Sequence, residues 1–351
     1  MTSCNVLSEA VKNRNNNLNL VKLIAAVLVI VSHAYAFAVN YQQTDWLSVL
    51  TGGKGDFGGL AVNTFFFYSG LLVTFSLLKN GDGKNYWKRR IFRIYPSFIL
   101  VTFSIVFLIA PWITNLTAGE YFSDARTYAY LKNLIFLNEH NLPGVFTENI
   151  YGPSVNGPIW TIRVEMFCYA FCYIFYRLGL LRKKHTVPSV GVYMVMVGAM
   201  AGLALKGFDG ILAVIMPVTM FYLGMVYAQF ADRIKLNGVF AWTAGAGLLL
   251  SFVIKQFILG CMVFLPYLLC CLAFSGKKVL HMVSSLGECS YEIYLWGGFI
   301  GQLMVYAAGG MMPVSQNMLF TIILSLILGY ITNQVVGQIN ALCRSFKSKS
   351  K

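Results

Sequence analysis

About ten apolar runs of roughly 18–22 residues recur along this chain, and a run of that length is what a helix needs to cross the hydrocarbon core of a bilayer. They fall at roughly 18–39, 60–78, 91–113, 158–176, 187–205, 211–230, 238–254, 256–274, 283–307 and 316–342. The runs lack sustained period-two alternation. Backbone groups in lipid must be satisfied inside a helix or a closed barrel, so helices are the reading that remains. Composition excludes a soluble alternative: 57% of the 351 residues are hydrophobic and 11% are charged, where a soluble domain carries about a quarter charged residues. The sequence therefore predicts an all-α, polytopic transmembrane helical bundle of about ten spans.

The net charge of +14 raises the question of nucleic acid. Its distribution answers it. With the N-terminus inside, 21 of the 27 Lys and Arg residues fall in cytoplasmic segments or at their borders, among them Lys12, Arg14, Lys79, Lys88, Arg89, Arg90, Arg93, Arg177, Arg182, Lys183, Lys184, Lys277, Lys278, Arg344 and Lys351. The outer loops hold Lys54, Arg126, Lys132, Lys206 and Lys255, and Arg163 falls within a span. That asymmetry is the positive-inside rule, which places both ends in the cytoplasm. The basic charge is topological, with membrane lipids as its partner and no nucleic acid.

One domain is expected: a polar, Asn-rich cytoplasmic segment 1–17 that reads as loose, a transmembrane domain over 18–342, and a basic cytoplasmic tail over 343–351 suited to lipid headgroups. The first run reads as a span rather than a cleaved signal peptide, since no small-x-small site and polar mature domain follow it. The longest polar stretch, 114–157, lies outside, with turn formers Pro143-Gly144 and Gly152-Pro153. It is either a structured cap or a contact surface for an outer-side substrate. The cysteines sit mostly within spans, so a disulfide framework is not expected. Cys168 and Cys172 share a helix face and read as packing. No metal site is expected.

Ionisable and polar groups inside spans are costly and mark candidate sites. His33 lies ~22 Å above Leu18 at the helical rise per residue, in the outer half of the first span. It is either a hydrogen-bonded packing histidine or a general base. Glu165 enters the fourth span from outside and reaches ~10 Å depth, close to that of His33. A carboxylate at that level can orient an imidazole, or Glu165 and Arg163 can be structural charges. Arg90 and Arg93 are three residues apart and share a face at the cytoplasmic mouth of the third span. They can anchor topology or fork a phosphate. Asn63 and Ser69, six residues apart, occupy different faces of the second span and serve either packing or a pocket.

At these residues the chain resembles a known family. NLNLVKLIAAVLVIVSHAYAF carries the histidine of an opening helix, and VNTFFFYSGLLVTFSL carries an FF-x-x-SG pattern. YWKRRIFRIYPSFIL carries R-x-x-R-x-x-P at Arg90, Arg93 and Pro96. NGPIWTIRVEMFCY carries a W-[ST]-L-x-x-E-like pattern at Trp160, Thr161 and Glu165, and LGECSYEIYLW spans 286–296. Together, in this order, they resemble the integral membrane acyltransferase family 3, bacterial enzymes that acylate surface polysaccharides and related acceptors. The last pattern usually continues into histidine, where this chain has Gly297, so no role for that histidine carries over. Glu288 and Glu292 stay unassigned.

The resemblance implies a multi-pass enzyme of the bacterial inner membrane. It would move an acyl group, most often acetyl, from cytoplasmic acyl-CoA to a hydroxyl of a cell-surface polysaccharide or lipid-linked sugar. Acyl-CoA is then a donor substrate, with no permanently bound cofactor. In that frame His33 is the base or a transient acyl carrier, and Glu165 orients it or stabilises its charged form. Arg90 and Arg93 hold donor phosphates, and Asn63, Ser69 and Trp160 line the route. The rival is a transporter or flippase of lipid-linked saccharides, which also needs many spans and intramembrane charges. It does not explain an Arg pair at the inner mouth together with a histidine and glutamate at one depth.

Overall fold

The computed structural model describes residues 5–182, 185–276 and 286–349. Lys183, Lys184, Lys277, Lys278 and Lys351 lie outside the described residues. Among the described residues the fold is all-α apart from one two-stranded ribbon. Its longer helices are α1 (Leu18–Val39), α2 (Phe57–Asn80), α3 (Gly83–Phe103), α4 (Trp160–Arg177), α5 (Thr186–Leu205), α6 (Asp209–Phe230), α7 (Gly238–Val253), α8 (Phe257–Val263), α9 (Leu265–Phe274), α10 (Ser290–Ala307) and α11 (Val314–Lys349). Among the described residues five helical stretches are long and apolar enough to cross a membrane: Leu18–Val39, Phe57–Lys79, Gly83–Ile113, Gly210–Phe230 and Val314–Leu342. A sixth arises if α8 and α9 count as one broken span.

Local chemistry sets the ends. Asp56 caps α2, its carboxylate accepting from the Gly59 amide. The helix stops at Gly81, whose φ of +61° turns the chain into a left-handed conformation. α3 carries Pro96 internally and runs on through a π-helical turn over Ser104–Ile109, where the i→i−4 ladder is locally widened. The sequence predicts one helix over 256–274. The structure instead bends by 50° between α8 and α9. Pro266, in the first turn of α9, lacks the amide that would continue α8.

The chain divides into two compact units. The first comprises Met1–Ala25, Asp45–Trp87 and Val164–Gly287. At its centre α2 and α6 touch through glycine. A Cβ on Gly70 would lie 2.0 Å from the Phe221 carbonyl oxygen, and one on Gly224 2.3 Å from that of Phe67. Close backbone approach of this kind is how helices gain packing where burial from water offers no drive. Of the segment read as loose, 1–17, the described residues 5–17 are folded into this unit. Asn5–Val6 pairs antiparallel with Lys235–Leu236, Leu7 is fully buried, and the Asn17 amide donates to the Ala273 carbonyl at 2.8 Å. Val6, Leu7 and Ala10 supply an apolar side that the surrounding asparagines hide in a composition reading.

The second unit comprises Ala26–Thr44, Lys88–Arg163 and Glu288–Lys351. Here α10 and α11 pack closely, with Gly329 of α11 against the Ile293 backbone and Trp296 Nε1 donating to Thr332 Oγ1 at 2.9 Å. The polar stretch 114–157 is a built structure. It holds short helices at Ala118–Ser123 and Ala125–Ala129, the first opened by a Thr117/Glu120 capping box. Gln302 on α10, fully buried, fastens its end. Its Nε2 donates to the Gly152 and Ser154 carbonyls at 3.0 and 2.8 Å, and its Oε1 accepts from Asn149 Nδ2 at 2.9 Å. Gln302→Leu strands these carbonyls at about 1–3 kcal/mol each. Limited proteolysis should then cut within 147–155 several-fold faster in the variant; unchanged cleavage would show that Gln302 does not hold the cap.

Candidate active site

His33 is half-buried on α1, in the second unit. Its Nδ1 lies 2.9 Å from the Val29 carbonyl oxygen, one turn earlier. A carbonyl can only accept, so Nδ1 carries a proton, and when the ring is neutral its lone pair is on Nε2. The ring also tilts against Phe37, centroid to centroid 5.6 Å. Phe37 packs edge-on against Tyr151 of the 114–157 cap. The tautomer of the neutral ring is thus set by the helix itself.

Glu165 belongs to the first unit, as do Asn63 and Ser69. Ser69 Oγ donates to Glu165 Oε1 at 3.0 Å, and Tyr169, one turn along α4, donates its hydroxyl to the same oxygen. Ser69 Oγ also lies 3.3 Å from Tyr169 Oη. Tyr169 is itself held, because its carbonyl accepts from Tyr86 Oη at 2.8 Å. Cys172, the next turn, contacts Thr74 Oγ1 at 3.4 Å. The face 165–169–172 of α4 is therefore joined to the Ser69–Thr74 side of α2 by polar contacts. Asn63, 3% exposed, sits six residues before Ser69 on another side of α2. Arg163 points outward, and among the described residues it forms no ion pair.

Arg90 and Arg93 lie on α3 within the second unit, Arg90 half-buried and Arg93 exposed. Trp160 is half-buried at the start of α4. The segment 290–296 ties their two stretches of chain to one helix. Tyr291 Oη donates to the Ile94 carbonyl at 3.3 Å, and Ser97 Oγ donates to Glu292 Oε1 at 2.6 Å. Tyr294 Oη donates to the Pro158 carbonyl at 2.5 Å and lies 2.7 Å from Thr161 Oγ1. Asn156 Nδ2 donates to the Leu295 carbonyl at 2.8 Å. Successive residues of α10 thus clamp the Arg-x-x-Arg segment on one side and the entry to α4 on the other. A Cβ on Gly297 would meet Ile30, three residues before His33, at 3.0 Å.

The profile of the family described as an acyltransferase domain matches residues 15–334, nearly the whole chain. The chain belongs to the acyltransferase 3 family. Among curated relatives, an O-acetyl transferase of Shigella phage Sf6 is 29% identical over 157 residues, 45% of this chain and 44% of that protein. Nodulation protein 10 of Rhizobium leguminosarum bv. viciae is 26% identical over 176 residues, 46% of this chain and 44% of that protein. The match spans less than half the length of these relatives. No solved structure matches.

Two residues of this family member escaped the sequence reading. Glu292 had no assignable role because its partner, Ser97, is 195 positions away. A buried carboxylate needs hydrogen bonds, which flags Glu292 without naming the partner. Tyr169 was missed although it stands four residues after Glu165, the spacing at which helical side chains meet.

Proposed function

We propose that this protein is a membrane O-acyltransferase that moves an acyl group, acetyl in the simplest case, from cytoplasmic acyl-CoA to a hydroxyl of a cell-surface polysaccharide or lipid-linked sugar. The observation that carries this reading is His33, whose Nδ1–H bond to Val29 puts the lone pair of the neutral ring on Nε2, in a chain of this family. The name of the phage Sf6 relative supports acetyl as the group and oxygen as the acceptor atom. The chain crosses a bacterial inner membrane about ten times, with both ends in the cytoplasm. That topology rests on the Lys and Arg distribution.

In the proposed step, Nε2 of His33 takes the acceptor's hydroxyl proton as the oxygen attacks the thioester carbonyl. The new C–O bond forms, the C–S bond breaks, and the proton returns from the imidazolium to the departing thiolate, giving the ester and free CoA. Glu165, fixed through Ser69 and Tyr169, is the carboxylate assigned to this chemistry, with Asn63 and Trp160 along the route. Arg90 and Arg93 hold donor phosphates by charge-assisted hydrogen bonds.

Membranes containing the protein, given acetyl-labelled acetyl-CoA, should pass label to a polysaccharide or lipid-linked sugar. Inserted protein that moves unlabelled saccharide across the bilayer without acetylating it would replace this reading with transport. Arg90→Ala should raise the KM for acetyl-CoA by about 10–100-fold, the worth of one hydrogen bond to a charged group. An unchanged KM rejects the phosphate role.

A further inference from the structure

The geometry points to a second phosphate-ester site, built wholly within the first unit around Arg177, Arg182 and His185. These three side chains line a cavity of about 540 Å³ together with Tyr173 and Tyr176, a size within the usual range for small-ligand pockets. Among the described residues no carboxylate lines it. Among the described residues neither Arg177 nor Arg182 forms an ion pair. Two exposed guanidiniums and an imidazole lining one cavity, with no acid among its described lining, are a binding set for an anion, and guanidinium forks suit phosphate oxygens.

The walls are fixed, which separates this cluster from a scatter of topology-setting charges. Tyr173 stacks on Tyr86, centroids 5.5 Å apart and planes 21° apart, and Arg177 Nη1 donates to the Tyr173 hydroxyl at 3.3 Å. Gly83 makes room for that hydroxyl, since a Cβ there would lie 2.2 Å from Tyr173 Oη. Tyr176 Oη donates to the Gly81 carbonyl at 3.3 Å. After α4 the chain reverses at Gly179, with φ of +72°, and a Cβ there would meet Arg182 Nε at 3.4 Å. Gln229, nearly fully buried, pins the turn by donating to the Leu180 carbonyl at 2.9 Å.

The ligand class is a phosphate ester. Two sources offer it: the 3′-phosphate of the nucleotide end of CoA, which rests on the acyl-transfer reading, and the phosphate of an anionic lipid headgroup. Full-length protein in phosphatidylcholine nanodiscs, titrated with CoA and with 3′-dephospho-CoA, tests the first. The wild type should favour CoA by about 10–100-fold, and Arg177→Gln/Arg182→Gln should bring the ratio near one. Arg177→Lys/Arg182→Lys keeps the charge that sets topology and should retain part of the preference. Native mass spectrometry of protein carried in phosphatidylglycerol tests the second. If the ratio is near one for both proteins while the Gln variant loses a retained phosphatidylglycerol, the site is confirmed with lipid as its occupant. An unaltered ratio above one, or neither a ratio nor a retained lipid that depends on the two arginines, overturns the site. Binding is read without turnover, so a protein that discriminates between the two nucleotides but transfers no acetyl group sinks the transfer reading and leaves the site standing.

Discussion

His33→Ala is expected to lower acetyl transfer by about 10²–10⁴-fold, the usual worth of a positioned general base, while the protein still inserts and melts as the wild type does. The separation of activity from stability follows from the local geometry. The hydrogen bond that Nδ1 of the ring makes goes to the Val29 carbonyl, in its own helix. That carbonyl keeps its place in the helical ladder when the ring is removed. Removing the ring also gives up its partial packing against Phe37. His33→Gln, which keeps polarity and approximate size but cannot serve as a base at neutral pH, should be as inactive as the alanine variant. Acid-quenched labelling separates base from carrier: label retained on the wild type and absent from His33→Gln would mean that the imidazole itself is acylated. Transfer at the wild-type rate in either variant removes His33 from the chemistry.

Gly224→Val is expected to have the largest effect on folding. The new Cβ would lie 2.3 Å from the Phe67 carbonyl oxygen and 2.7 Å from the Leu71 amide nitrogen. Both are backbone atoms, so no side chain can swing aside. α2 and α6 must move apart, and with them the reciprocal contact of Gly70 on Phe221. Overpacking of a tight contact costs about 1–3 kcal/mol, more where the backbone itself must shift. Gly245→Ala on α7 is the control, because nothing lies within 4 Å of its Cβ; it should be neutral or slightly stabilising through helix propensity. Thermal melts of the detergent-solubilised proteins distinguish the two. Equal melting of Gly224→Val and the wild type would mean that the close α2–α6 contact does not hold the first unit together.

The candidate residues are legible in the sequence because the proposed chemistry needs residue types that a membrane span otherwise avoids. His33, Glu165, Arg90 and Arg93 each stood out against apolar surroundings for that reason. The partners were not legible. Ser69 and Glu165 are 96 positions apart, Ser97 and Glu292 195, and Asn149 and Gln302 153. No periodicity connects residues on different helices. A charge count does not reveal that arginines of the basic loop after α4 line a cavity.

The sequence by itself determined the solvent, the helical class and the family: apolar length is a local property, and a motif is read in order along the chain. Tertiary structure decided what apolar length leaves open. It folded the N-terminal segment against the 234–236 stretch, broke 256–274 at Pro266, turned 114–157 into a pinned cap, and gave Glu292 its partner. It also chose the nitrogen of His33 that carries the lone pair. The physical reason is the same in each case: apolar transfer free energy adds up residue by residue, whereas a hydrogen bond or a backbone contact exists only when two distant segments meet at about 3 Å.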